Sequence, residues 1–205
     1  YRTDILERLN LEVPDTWEDV KLIMPELKRN GMNFHVALAS HTGNKPIATT
    51  SYYFAQNGAP LYSEDGMTTA INEEKGQEAF DLLTSLFGTY SIPVTTENFF
   101  NSFRYGRIPI GISNLDTYIK LKNGAPEIAG MWDIAPSPGI MDENGVVHRD
   151  QTSAGETAVI MKRTTMKNEA WDFLKWWLST EVQEEYGFIM QTKFGPTYIW
   201  NTANE

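Results

Sequence analysis

Carboxylates are the first groups in this sequence able to do chemistry. Asp116, Asp133, Asp150 and Glu156 offer pairs of the kind a glycosidase uses, one carboxyl protonating a leaving oxygen while the other acts as base or nucleophile. With 27 acidic residues in 205, however, a pair is always available, so this pattern alone decides nothing. Other catalytic signals are missing: there is no Gly-rich phosphate loop, dinucleotide fingerprint, H-E-x-x-H or G-x-S-x-G. His35, His41 and His148 stand far apart, without further ligands at metal-binding spacing. They read as unrelated strand and loop residues. The expectation is a protein that is not an enzyme, with no metal and no cofactor.

Aromatic side chains are the second group, because a pyranose ring presents apolar C–H faces between its hydroxyls. Trp17, Phe80, Phe87, Phe99, Phe103, Trp171 and Trp177 fall on helical stripes and read as core. Tyr52, Tyr53, Tyr118 and Trp132 fall near expected strand ends and turns, where α/β folds place ligands, and for these core and ligand contact are both open. Phe173 and Trp176 widen the apolar face of their helix, which points to burial against a neighbouring layer.

These residues need elements to position them. Thr16 and Asp19 form a capping-box pattern before Trp17, Val20, Met24 and Leu27, with Asn30-Gly31 as the stop. Pro25 lies inside that helix, which should kink or split. Phe34–Ala39 reads as a buried strand before a polar loop, 40–46. Turn clusters at 57–60 and 64–66 flank a brief extended piece, Leu61-Tyr62. Asn72 is placed to cap a helix carrying Ala79, Phe80, Leu83, Leu86 and Phe87. A helix over 97–105 leads to a strand over 108–113, whose apolar residues suggest a parallel sheet. Then come a helix over 115–121, a strand over 132–135, and a hairpin signal at Asp142-Glu143-Asn144-Gly145. A strand over 157–161 precedes a helix capped by Thr165 and another opened by a Thr180/Gln183 capping box. Helices alternating with short buried strands make an α/β chain.

Composition bounds the rest. Hydrophobic residues are 41% and charged residues 21%, and surface scaling buries about 70% of a chain this size. The apolar runs are too short to span a bilayer. Net charge is −10 without a Lys/Arg cluster, so nucleic acid is not an expected partner. Cysteine is absent, which removes disulfides and thiolate chemistry. With no initiator Met and no leader-like segment at its start, the chain reads as a piece of a longer protein.

Four blocks in order resemble one family. They are YRTDIL at 1–6 with VPDTWEDV at 13–20, FFNSFRYGRIPIGI at 99–112, EAWDFLKWWLSTE at 169–181, and Phe194-Gly195-Pro196. Together they are similar to the extracellular (family 1, carbohydrate-type) solute-binding proteins of ABC importers, the branch that includes the maltose-binding proteins. LYSEDG at 61–66 and FRYG at 103–106 look most like a branch of large Gram-positive bacterial lipoproteins.

The resemblance implies a periplasmic-binding-protein-like lobe of three layers, helix–sheet–helix, from a two-lobed protein that closes on its ligand by hinge motion. Residues 1–150 would be most of the second, C-terminal-type lobe. Residues 151–205 would be a crossover segment returning toward the first lobe, leaving Trp171, Trp176 and Trp177 partly bare and open to self-association. The ligand would be a small-molecule carbohydrate, delivered to the permease subunits of an ABC importer. The parent would be extracellular, anchored to the cell surface by a lipid outside this segment.

By the same resemblance the substrate-binding residues would be Tyr52, Asn114, Asp116, Tyr118, Trp132 and Glu156. Asn114 and Asp116 would grip vicinal hydroxyls and Tyr118 would stack. Asp116 stands where the maltose-binding proteins carry a stacking Trp, and it is equally readable as a cap of the 115–121 helix. The loop over 41–46 lacks the aromatics that relatives often carry there, and Gly155-Glu156-Thr157 falls in a cleft-facing segment of relatives. A carbohydrate-active hydrolase with two cleft carboxylates, or a receptor-docking sensor module, is the alternative.

Overall fold

The computed structural model describes residues 1–36, 46–96, 98–151, 158–195 and 198. In chain order its helices and strands are α1 (Thr3–Leu9), α2 (Trp17–Arg29), β1 (Phe34–His35), α3 (Pro46–Gln56), α4 (Glu74–Gly88), α5 (Phe99–Arg104), β2 (Ile110–Gly111), α6 (Leu115–Gly124), β3 (Ile140–Met141), β4 (Val147–His148), α7 (Lys167–Trp177) and α8 (Thr180–Phe194).

The β1–β2 pair is parallel, with Phe34 opposite Ile110 and His35 opposite Gly111. Successive strand residues face opposite sides, and this two-residue strand shows it. Phe34 and Ile110 join the main core with Trp17, Val20, Leu27, Tyr53, Leu83 and Leu86 from α2, α3 and α4. His35 turns the other way and stacks on Phe99 of α5, ring centroids 4.2 Å apart at 16°. There Phe103, Leu121, Ala125 and Ile128 form a second core cluster. Helices therefore cover both faces of the pair, as the α/β reading anticipates. Gly111 is required by the same packing: a Cβ there would fall 2.5 Å from the His35 Cβ.

A third run extends this layer. The Arg2 N–H donates to the Pro109 carbonyl (2.7 Å) and the Thr3 N–H to that of Met131 (3.0 Å), while Asp133 N–H donates back to Tyr1 (3.0 Å). The expected strand at 132–135 is thus reduced to one antiparallel bridge, Arg2 to Trp132. The Arg2 guanidinium is buried. It grips both Asp4 oxygens (2.8 and 2.7 Å) and donates to the carbonyls of Phe103 (3.3 Å) and Arg104 (3.0 Å) at the C-terminal end of α5. This guanidinium holds the Asp4 carboxyl below the usual range.

The capping box of α2 forms: Thr16 accepts from the Asp19 N–H, and the Asp19 carboxylate accepts from the Thr16 N–H. At its other end, Met32 N–H reaches Leu27 O (2.8 Å) and Gly31 N–H reaches Lys28 O (3.0 Å), a Schellman closure with Gly31 at φ +68°. The split expected at Pro25 does not occur, since 17–29 is one helix with Pro25 inside.

Residues 46–56, read as loop and strand ends, are a helix. Pro46 suits its first position, and Tyr52, Tyr53 and Gln56 face Trp17 from it, so tertiary partners override a β-branched, aromatic sequence. Caps shift by one residue in three helices. Glu73 rather than Asn72 precedes α4, Met166 rather than Thr165 precedes α7, and Ser179 precedes α8. The Thr180/Gln183 box is therefore not made; the Gln183 carboxamide instead donates to the Trp177 carbonyl (2.7 Å). Phe80 is exposed, unlike the other α4 residues assigned to its core face.

The 142–146 hairpin forms, β3 pairing antiparallel with β4, its turn held by Asp142 accepting from the Asn144 and Val146 N–H groups (2.9 and 2.8 Å). Residues 158–161 form no strand, and the rest of that expected element lies outside the described residues. No helix among the described residues is long and apolar enough to cross a membrane.

Candidate ligand-binding site

The two-faced β layer leaves a cavity of about 230 Å³ at its edge, between the end of β2, the start of α6 and the run 132–138. An unbroken aromatic path leads into it from the sheet, and Phe99, Phe103, Trp132 and Tyr118 of that path line it. From His35 on the sheet the path runs to Phe99, to Phe103 (5.7 Å), to Trp132 (6.4 Å, edge to face) and to Tyr118 (5.7 Å, 74°). Edge-to-face contact is the arrangement ring quadrupoles favour, and here it fixes the Trp132–Tyr118 corner.

Its polar groups come mostly from the α6 N-terminus. Asn114 is the N-cap: its Oδ1 accepts from the Thr117 N–H (3.2 Å) and Thr117 Oγ1 (3.3 Å), and Ser113 Oγ donates to Thr117 Oγ1 (2.7 Å). Capping occupies the oxygen of the carboxamide, so the Asn114 NH2 is the donor it has left to offer. Asp133 is the only acidic or basic side chain of the lining among the described residues. Its Oδ1 accepts from the Ile134 N–H (2.8 Å).

The outer wall, Pro136-Ser137-Pro138, is pinned from behind. Gln56, buried between α2 and this wall, accepts from Trp17 Nε1 (2.9 Å) and donates to the Pro138 carbonyl (3.3 Å). Gly139 exchanges backbone bonds with Asp15 and Trp17 (3.0 Å each). Arg149 donates to the Ser137 carbonyl (3.1 Å) while paired with Asp15.

Of the residues singled out from sequence, Asn114, Tyr118 and Trp132 line this cavity together. Tyr52 does not: it is only 7% exposed, inside the main core, stacked on Trp17 (6.2 Å) and Tyr53 (4.3 Å). Burial pushes its hydroxyl well above the usual tyrosine range. Asp116 sits exposed in the first turn of α6, away from the lining, and it is Asn114 that caps the helix. Glu156 and the 41–45 loop lie outside the described residues. Of the other carboxylates considered for hydrolysis, only Asp133 lines the cavity, and Asp150 instead lies beside His148 Nδ1 (3.8 Å). No group of three or more His, Asp or Glu among the described residues could hold a metal ion.

Sequence reasoning placed Asp133 only among the carboxylates of a hydrolase, not with the substrate-binding residues, and it did not single out the 136–138 wall. The Pro-Ser-Pro-Gly run marked a loop but not which way it faces. Phe99 and Phe103, assigned to core, serve both core and cavity.

Residues 1–184 match the family model described as bacterial extracellular solute-binding protein. The chain belongs to that family. No curated protein matches it in sequence. Several solved structures share its fold. A solute-binding protein of an ABC transporter from Thermotoga lettingae, bound with α-D-tagatose, is 20% identical with a TM-score of 0.64, over 96% of this chain and 50% of its own. The sugar-binding protein MalE of Xanthomonas citri is 18% identical with a TM-score of 0.67, over 92% and 48%. An ABC substrate-binding protein of Listeria monocytogenes in complex with cycloalternan is 17% identical with a TM-score of 0.63, over 100% and 50%. The chain thus spans about half the length of these structures and is a helix-rich, partial periplasmic-binding-protein-like lobe.

Proposed function

We propose that this chain is part of a protein that captures a sugar or oligosaccharide by hinge closure and delivers it to the permease subunits of an ABC importer, without catalysis. The observation that carries the reading is the Trp132–Tyr118 corner. It sets a flat apolar face beside the Asn114 amide and the Asp133 carboxylate, and a pyranose needs both an apolar platform and donors and acceptors. Three solved relatives are named as bound to, or binding, sugars. Closure needs no chemistry, because the ligand stabilises the closed form by its greater affinity for it.

Residues 1–150 are, in this reading, most of the second lobe, and 151–205 return toward the first. Supporting this, α7 has no buried residue and Gln183 is the only one in α8, while Trp171 and Trp176 are 56% and 55% exposed. The first lobe would cover them. Alone, the chain would associate with itself through the same surface. The parent would act outside the cell, held by a lipid anchor of the Gram-positive lipoprotein kind.

The test is nuclear magnetic resonance of the Trp132 indole N–H during titration with a panel of mono- and oligosaccharides. Saturable shifts with millimolar affinity are expected, because one wall of a clamp binds weakly. No response to any sugar overturns the reading. Sedimentation velocity of the same sample should show concentration-dependent association that Trp171→Glu with Trp176→Glu abolishes.

A further inference from the structure

A second cavity, of about 330 Å³, adjoins the first and shares with it Tyr118, Trp132 and Asp133. Its other side is formed by the end of α6 and the turn after it, through Lys122, Ala125 and Ala129. The Trp132–Tyr118 corner is therefore a common wall rather than the back of a single pocket. Pockets that enclose a drug-sized ligand run from about 300 to 1,000 Å³. The first falls below that range and the second lies just inside its lower end, so each suits one sugar ring.

The second cavity carries its own hydrogen-bonding pair. Lys122 Nζ donates to the Tyr118 hydroxyl (3.3 Å) and lies 5.7 Å from the centre of that ring. An ammonium has three donors, so one bond to Tyr118 leaves two for hydroxyls, with the Asp133 carboxylate as acceptor. Ala125 and Ala129 keep the floor apolar and add no bulk.

We infer that the second cavity is an adjoining subsite, so that the ligand has at least two linked rings, one on each side of the Trp132–Tyr118 corner. This rests on the sugar-binding reading above and adds to it a ligand length and two specificity residues, Lys122 and Ala129. Lys122 grips a hydroxyl of the second ring, and the small Ala129 admits that ring.

The experiment compares gluco-, galacto- and manno-configured methyl glycosides with disaccharides of the same sugars, titrated into the full chain and read at the Trp132 indole. For the sugar that binds, the disaccharide is expected to bind at least fivefold more tightly than the methyl glycoside. Ala129→Phe fills the second cavity from an exposed position; it should erase that gain and leave the methyl glycoside affinity within twofold. Lys122→Met should weaken only the disaccharide, and it keeps the inference testable if the bulkier variant misfolds. Equal affinity for one and two rings overturns the inference while leaving sugar capture standing, as does a variant that weakens both ligands alike. If neither length moves Trp132, sugar capture falls first and the subsite with it.

Discussion

The β1–β2 layer and the α7–α8 pair use the same kinds of residue to opposite effect. Trp17 begins α2 and is 1% exposed, wedged against Phe34, Tyr52 and Tyr53. In α7 only Ala170, Leu174 and Trp177 are half-buried, with Trp177 meeting Tyr186 of α8 edge to face (5.4 Å). Trp171 and Leu178 project on one flank of that helix and Phe173 and Trp176 on the other, all exposed. A helix apolar on more than one side belongs in an interior. Amphipathic pattern thus states how much surface a helix must cover, and only the rest of the fold decides whether it is covered.

The largest break in that comparison should come from truncating one tryptophan in each region. Trp17→Ala removes a fully buried side chain and leaves Gln56 short of its donor, so urea unfolding should show a loss of about 3–5 kcal/mol. Trp171→Ala should stay within about 0.5 kcal/mol, as at other surface positions. A comparable loss at both sites would mean that α7 is buried in solution.

Next in size is Arg2→Met, which strips the Asp4 carboxylate and two carbonyls of α5 of a charged donor. The expected cost is about 2 kcal/mol by chemical denaturation, with amide exchange rising first at the end of α5. No change in exchange there would show that the guanidinium is not the cap.

Smaller again is the acid response of His35. Burial pushes its pKa down from 6.5 to about 4, so the folded state holds it neutral while the unfolded state takes up a proton. Its contribution is full above pH 6.5 and lost as pH falls toward 4. His35→Phe, which keeps a ring over Phe99, should flatten stability over that window. An unchanged slope would exclude His35 as its source.

The smallest effect belongs to the hairpin. Backbone bonds from Val146, with His148 and Asn144, hold the Asp142 carboxyl at about 2. Its contribution is present above the ordinary value of 3.8 and is lost as pH falls through 2. Asp142→Asn should speed exchange at Val146 at neutral pH and leave global unfolding unmoved. Slower exchange would contradict this turn geometry.

Legibility followed locality. The α2 capping box, the Asn30-Gly31 stop, the 142–146 hairpin and the parallel β1–β2 pairing were readable because each depends on residues close in sequence or on an apolar run. The α3 helix was not, because Ala48-Thr49-Thr50-Ser51-Tyr52-Tyr53 has strand-like propensity and its helical partner, Trp17, is 35 residues away in the chain. The same error moved Tyr52 from core to site. At the cavity, Asn114, Tyr118 and Trp132 were legible as polar or aromatic groups near a strand end, whereas the place of Asp133 depends on the distant Tyr1 and that of the 136–138 wall on Gln56 and Arg149.

The pairing of Arg2 with Trp132 also sets an order of events. A contact between positions this far apart is slow to form, because the entropy of closing the loop comes before any gain from the pairing. At about 5–20 residues per second of synthesis, Trp132 follows Arg2 by roughly 7–26 s. Until then the run from Tyr1 to Thr3 lacks the backbone partners that residues 131–133 supply. The opening segment waits, and the lobe locks in one late step.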